Sequence, residues 1–324
     1  MKLKIFLLLV FSSIGVWILF AKPEASITIH VVTDQGQSIT NFPISLSTFD
    51  HWQPGESFGQ DISIGYNQKT DAQGLVNFTI PSPRGDMAFG TPYNLQGYYP
   101  NIEHYQFKTN QEGKWQPWNP TIEMVVKPVL NPIPMYAQAV RLTIPARNIP
   151  VGFDLETGDW VSPYGKGYVS DFIFILKDKI PFVDASQPYD VTNILSFSNK
   201  GDGIQSVIVS QNQGTTFRMV CDAPQGGYDS ILAQVLSLNG DKRLNGADGE
   251  NQNYFFRVRT ALDQQGKVKS ALYGKTAGPI VCGPQGIVQF TYYLNPTPND
   301  RNMEFDPSKN LFQNLTDEQQ VKAP

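Results

Sequence analysis

Between Tyr254 and Phe305 the chain reads YFFRVRTALDQQGKVKSALYGKTAGPIVCGPQGIVQFTYYLNPTPNDRNMEF. Strong β-formers stand on both sides of Asp263-Gln264-Gln265-Gly266, and a second turn, Gly283-Pro284-Gln285-Gly286, leads into Ile287 to Leu294. This is the pattern of a hairpin followed by a third strand. The exit is rich in Pro and Asn, and it carries charges with no evident structural task.

The bulk numbers agree with a β protein. Only 17% of the 324 residues are charged, while 27 Gly and 24 Pro point to many short strands joined by turns. That length accommodates two domains of ordinary size. The formal net charge of −4, with no Lys/Arg run longer than two, carries no footprint of a nucleic-acid partner.

At the N-terminus, Met1-Lys2-Leu3-Lys4 is a short basic segment, and Ile5 to Phe20 is an apolar run broken only by Ser12, Ser13 and Gly15. The pattern is that of a signal peptide, with Ala21 or Ala25 closing a small-residue cleavage site; the run is shorter than the roughly 20 residues of a spanning helix. Residues 1–25 are therefore expected to be a signal peptide or an uncleaved N-terminal anchor. The remainder is expected to be exported to the periplasm, the outer surface or the medium, touching membrane only through that segment. In such a compartment Cys221 and Cys282 are expected to form a disulfide, worth roughly 4 kcal/mol for a loop of about sixty residues, or else to be two buried thiols.

From Ser26 the apolar period is two. Ile27, Ile29 and Val31 alternate ahead of Asp34-Gln35-Gly36-Gln37; Ile44 and Leu46 alternate within Phe42 to Phe49; Val76, Phe78 and Ile80 follow the turn Asp71 to Gly74. The order of strands and turns, with Val32-Thr33-Asp34-Gln35-Gly36 and Thr70-Asp71-Ala72-Gln73-Gly74 as its signatures, resembles the carboxypeptidase regulatory-like domain, a prealbumin-like or Ig-like sandwich, and the bacterial Ig-like repeats of surface adhesins. The resemblance covers Ala25 to Lys127 and implies a non-catalytic β-sandwich. It departs from the pattern in a polar insert, Asp50 to Tyr66. Strands are also expected over Ile102 to Lys108 and Thr121 to Lys127.

Pro128 to Pro134 reads as an extended linker. A larger sandwich is expected over 135–312 and a polar tail over 313–324. Within it, strands are expected at Ala139 to Ile144, Val169 to Lys177, Ile194 to Ser198, Ile204 to Ser210, Thr215 to Cys221 and Ile231 to Leu238. The second segment resembles exported bacterial proteins of no named activity. The fold class is thus all-β, with two β-sandwich domains.

Standard catalytic motifs are missing from the sequence: there is no G-x-S-x-G, no H-E-x-x-H and no paired C-x-x-C. Gly274-Lys275-Thr276 ends like a P-loop, but its first glycine would fall at Lys269. The three histidines, His30, His51 and His104, all precede the linker, which leaves no triad or His-rich metal site for the larger segment. No cofactor and no metal is expected.

Two readings remain. The first is a non-catalytic binding or structural protein of the bacterial envelope, recognising carbohydrate or a protein partner through Trp115, Trp118, Tyr99 and Trp52. Against it, the same rings would form a lid on the first sandwich. The second is a carbohydrate-active hydrolase, with Asp154 and Asp159 on one loop facing Asp300 and Glu304 on another across a cleft. Carboxylates beside Gly and Pro more often close turns through their own backbone. The acidic loops Asn199 to Gly203 and Asn239 to Asn251 offer oxygens for calcium, but neither follows an EF-hand, and Lys200, Lys242 and Arg243 oppose a cation.

Overall fold

The computed structural model describes residues 22–54, 59–209, 214–240, 242–245 and 252–324. The N-terminal apolar run up to residue 21 and most of the acidic loop 239–251 lie outside the described residues. Among those described, no helix is long and apolar enough to cross a membrane. The described chain is all-β, and its one helical element is the 3-10 turn Pro307–Lys309.

The chain divides into two compact units. The first comprises residues up to Val32, Gln37–Gly90 and His104–Met124; the second comprises Thr33–Gly36, Thr91–Glu103 and Val125–Pro324.

Nine strands are numbered through the first part of the chain: β1 (Glu24–Val32), β2 (Pro43–Gln53), β3 (Gln60–Lys69), β4 (Leu75–Pro81), β5 (Asp86–Gly90), β6 (Ile102–Gln106), β7 (Thr109–Gln111), β8 (Lys114–Gln116) and β9 (Thr121–Val125). One sheet runs β4-β1-β8-β7 with β9 also on β1, and the other runs β3-β2-β5-β6. The alternation seen in sequence has a direct packing consequence. Ile27, Ile29 and Val31 of β1, Ile44 and Leu46 of β2, and Val76, Phe78 and Ile80 of β4 are all buried. Each large apolar side chain so removed from water stabilises by roughly 1.5–3 kcal/mol.

The turn at Asp71 is built as its residues dictate. Asp71 Oδ1 accepts from the N–H of Gln73 at 2.8 Å and of Leu75 at 2.9 Å. Gly74 takes φ +76°, and a Cβ there would meet Ser38 Cβ at 2.9 Å.

The expected polar insert over Asp50 to Tyr66 is built largely of strand. Most of its described residues belong to a long β2–β3 hairpin, paired from Pro43↔Lys69 to Gln53↔Gln60 with a bulge after Phe49. Strand β3 is exposed along nearly its whole length, although Ile62, Ile64 and Tyr66 alternate with Ser63 and Gly65 in its sequence. Backbone pairing with β2 decides its conformation.

The second unit is a sandwich of two six-stranded sheets. Its strands are β10 (Tyr136–Thr143), β11 (Val151–Asp154), β12 (Asp159–Trp160), β13 (Phe172–Ile180), β14 (Tyr189–Ser196), β15 (Gly203–Ile208), β16 (Ile231–Asn239), β17 (Lys242–Asn245), β18 (Gln252–Leu262), β19 (Val268–Thr276), β20 (Val281–Cys282) and β21 (Ile287–Asn295). One sheet runs β10-β21-β19-β18-β15, with β20 on β21; the other runs β12-β11-β13-β14-β16-β17. The expected hairpin is β18–β19, closed by Asp263 to Gly266, and β21 is the third strand. The expected strand at Thr215 to Cys221 is not one. Its only pairing among the described residues is an isolated bridge from Thr215 to Asn101.

Because side chains alternate across a strand, the β10–β15 sheet has two different faces. Val288, Phe290, Tyr292 and Leu294 enter the core between the sheets, with Phe153, Phe172, Phe174 and Phe256. Tyr273, Lys275 and Tyr293 occupy the opposite face. Irregular chain covers that face: Met219, Ala223 and Met303 pack with Phe255 and Tyr273, while Phe305 and Val321 pack with Met135, Ala137 and Tyr293.

Candidate functional site

In the first unit the tryptophans divide into two roles. The Trp115 indole Nε1 donates to Ser82 O at 2.7 Å, and the ring lies where a Cβ on Gly85 would approach it to 2.6 Å. Gly85 has φ +68°, so its lack of a side chain serves both the turn and the ring above it. Trp115 is therefore a packed, hydrogen-bonded closure. Trp118, three residues on, is 39% exposed, with the Lys114 ammonium 5.0 Å from its ring centre. The backbone N–H of Trp118 donates to Gln116 Oε1 at 3.1 Å, which fixes the loop that presents the ring. Trp52 is 55% exposed near the end of β2 and lies against Gly59, where a Cβ would overlap its ring.

Tyr99 belongs to the second unit and is buried. Its ring stacks on Phe217 at 5.1 Å, and its hydroxyl donates to Glu304 Oε1 at 2.7 Å. Burial, reinforced by that carboxylate, pushes the phenol well above its ordinary range. Glu304 also accepts from the N–H groups of Leu130 and Asn131, so it organises buried backbone.

The other acidic residues are similarly occupied. Asp154 accepts from the N–H groups of Glu156, Tyr168 and Val169 and from Thr157 Oγ1. Burial opposes its ionisation, yet these donors hold its carboxyl below the usual range. Arg259 sits at a register shift of the β18–β19 hairpin with φ +54° and binds three carboxylates: Asp171 at 2.9 Å, Asp154 at 3.1 Å and Glu156 at 2.6 Å. Burial raises the Asp171 carboxyl despite this partner, whereas the carboxylates hold Arg259 firmly protonated against its own burial. Sequence reasoning passed over both Arg259 and Asp171. Asp159 closes its own loop by accepting from Trp160 and Lys166, and Asp300 accepts from Asn302 N–H. In the Asn199 to Gly203 loop, Asp202 is turned inward onto Asn199 and the Thr260 N–H. Among the described residues no group of three or more His, Cys, Asp or Glu is arranged to hold a metal.

The expected Cys221–Cys282 disulfide is corrected: both are free thiols. Cys282 sits in the core between the sheets, where burial pushes its thiol up to about 12. Cys221 is half-buried on the irregular cover, where burial, and then Glu304, also raise it.

No family model matches the chain, and no curated protein matches it. Among solved structures, the crystal structure of BcpA, the major pilin subunit of Bacillus cereus, is similar at 12% identity over 89% of this chain and 97% of that one, with a TM-score of 0.22. A TM-score of 0.22 is too low to carry a shared fold.

One feature of the second unit had no signature in the sequence. Phe217 stands between two buried lysines: Lys127 Nζ lies 5.4 Å and Lys275 Nζ 4.2 Å from its centre. The Lys127 ammonium donates to Met219 O at 2.7 Å and to Arg218 O at 3.2 Å. Lys275 also lies 4.6 Å from the Tyr293 ring centre, but among the described residues it donates to no acceptor. A Gly-Lys-Thr triplet on a strand suggested only a failed phosphate loop.

Proposed function

We propose that this is an exported, non-catalytic binding protein of the bacterial cell envelope, and that the loop bearing Trp118 on its regulatory-like or Ig-like first unit is a carbohydrate contact. The observation that supports this reading is the division of labour between Trp115 and Trp118. The first ring is bonded down and packed, and the second is held out to solvent on the segment so fixed. A sugar presents an apolar face that stacks on a flat, preorganised aromatic ring, and holding the ring in place beforehand lowers the entropy lost on binding. Lys114 adds a donor beside the ring for a hydroxyl or an acidic sugar. Trp52, on the same unit, is a second exposed ring of the same kind.

The hydrolase reading gains no support from the acidic residues. Asp154 and Glu304 are both committed to holding loops; Asp154 ends β11 in the sheet across the core, and Glu304 lies between Met303 and Phe305 on the outer side of the β10–β15 sheet.

A glycan array probed with the full chain, W118A and the W52A/W118A double variant tests the proposal. Binding lost in the variants at unchanged melting temperature supports it. Glycan binding that survives in the double variant, or is missing from the wild type, sinks it.

A further inference from the structure

Lys275 opens onto a chamber of about 410 Å³ in the second unit, lined in addition by Arg218, Met219, Val209, Tyr293 and Ala323. The lysine is anchored by its place in the sheet. It stands on the central strand β19, between cross-strand neighbours Phe255 and Tyr293, and only 3% of its surface is exposed.

The donors of this ammonium are the central point. A lysine carries three N–H donors and no acceptor, and leaving them unmet in a dry site is costly. Lys127, the other cation on the Phe217 ring, is met by two carbonyls; Lys275 has only the faces of two aromatic rings. Arg218 has an exposed guanidinium on the same chamber, with no ion pair among the described residues. Among the described residues no Asp or Glu side chain lines the chamber. Besides Arg218 and the Tyr293 phenol, the charged or titratable groups near Lys275 are Cys221, Lys127 and Glu304, and Glu304 is already engaged by Tyr99 and two backbone N–H groups. Val209, Met219, Ala277 and the Tyr293 ring form the apolar part of the wall; Thr216, Asn253, Thr276 and Pro324 also line it, the Thr276 hydroxyl being spent on Gly278 O at 2.8 Å.

We propose that this chamber binds a small organic carboxylate, its charged end between Lys275 and Arg218 and its apolar body against Met219, Val209 and Tyr293. Two cations suit a monoanion better than a phosphate, whose extra charge and hydration call for a denser set of N–H groups. An apolar wall suits a ligand that is more than its carboxylate.

The site has a built-in pH dependence. Burial brings the Lys275 ammonium down to about 7, so the charged form that attracts the carboxylate is populated below neutrality and is lost above it.

The test is calorimetric titration of the full chain with benzoate, using benzamide as the uncharged control, at pH 6 and pH 9. The expected result is benzoate binding at pH 6, at least tenfold weaker at pH 9, with no benzamide binding at either. K275M abolishes benzoate binding while circular dichroism shows an intact fold. R218Q, a change on an exposed side chain, weakens binding severalfold. Absence of benzoate binding to the wild type at pH 6, benzamide binding as tightly as benzoate, or K275M binding like the wild type overturns the proposal. The site is independent of Trp118, so its outcome is separable from that of the glycan experiment.

Discussion

Tyr292 and Tyr293 are consecutive on β21, yet their hydroxyls serve opposite sides of one sheet: Tyr292 Oη donates to Leu155 O at 2.7 Å, and Tyr293 Oη donates to Ala323 O at 3.2 Å. The pleat alone requires this separation. Its consequence reaches the two acidic loops. The Asp154 to Asp159 loop includes Leu155, on the Tyr292 side, while Glu304 precedes Phe305, whose ring packs on Tyr293 at 5.3 Å. A β-sheet therefore stands between Asp154 and Glu304, and each side has its own polar arrangement. On the Tyr292 side, Arg259 gathers Asp154, Glu156 and Asp171. On the Tyr293 side, Lys275 faces a chamber.

The Arg259 cluster is a structural lock, and breaking it from the cationic side is the severe change. R259M leaves Asp171, fully buried, and Asp154 without their cation, so a loss of about 3–5 kcal/mol is expected in urea unfolding. Adding D171N to R259M removes one stranded charge and recovers part of that loss. Equal stability of R259M and the wild type would show that the cluster holds nothing.

Trp115 and Trp118 respond differently to alanine. W115A removes a half-buried ring and leaves Ser82 O without its donor, for an expected loss of about 2–4 kcal/mol. W118A changes an exposed ring and stays within about 0.5 kcal/mol of the wild type. G85A behaves like W115A, because the added methyl meets the indole at a glycine of positive φ. Chemical denaturation of the three variants decides, and a W118A loss as large as that of W115A would make both rings part of one lid.

The elements that can be read from the sequence include those whose side chains alternate because one face is buried. β1, β2 and β4 are of this kind, beside turns with Asp and Gly, whereas the β18–β19 hairpin and β21 are buried on both faces over much of their length and are marked by strong β-formers around Gly-containing turns. β3 carries the short alternation Ile62, Ile64, Tyr66 within a polar stretch, yet both its faces are largely wet and its conformation comes from pairing with β2. A misleading alternation occurs at Thr215 to Cys221. There Phe217 and Met219 alternate like a strand because they plug the outer face of a sheet, with no partner strand beside them. The Lys275 chamber is illegible for a related reason. Its parts come from β18, β19, β21, the irregular cover and the C-terminal segment, and nothing local marks a lysine whose neighbours arrive from so many places.

The two thiols differ in reactivity by their surroundings. Cys221 is half-buried and Cys282 lies in the core with its thiol pushed up to about 12, so iodoacetamide modifies Cys221 first in the native protein and Cys282 only on unfolding. Mass spectrometry of the unfolded, unreduced chain is expected to show two alkyl groups. A protein that takes up none until a reductant is added would establish a disulfide.

Lys275 also makes stability depend on pH in a direction opposite to that of a paired lysine. Its ammonium has a value of about 7 in the folded protein against an ordinary 10.5, because burial disfavours the charge. Between those values the unfolded chain holds the proton and the folded one does not. Stability from this residue therefore rises as the pH goes from 7 towards 10.5 and is lowest, and flat, below 7. K275M removes the group with little change in volume. In ligand-free buffer it is expected to be more stable than the wild type by up to the order of 4 kcal/mol at pH 6. That advantage should shrink steadily towards pH 10. The wild-type-minus-variant difference isolates this effect from the cysteines and tyrosines that titrate in the same range. A difference that does not change between pH 6 and pH 10 would mean that Lys275 carries its charge in the folded state as easily as in water, with acceptors or water in the chamber meeting all three of its donors.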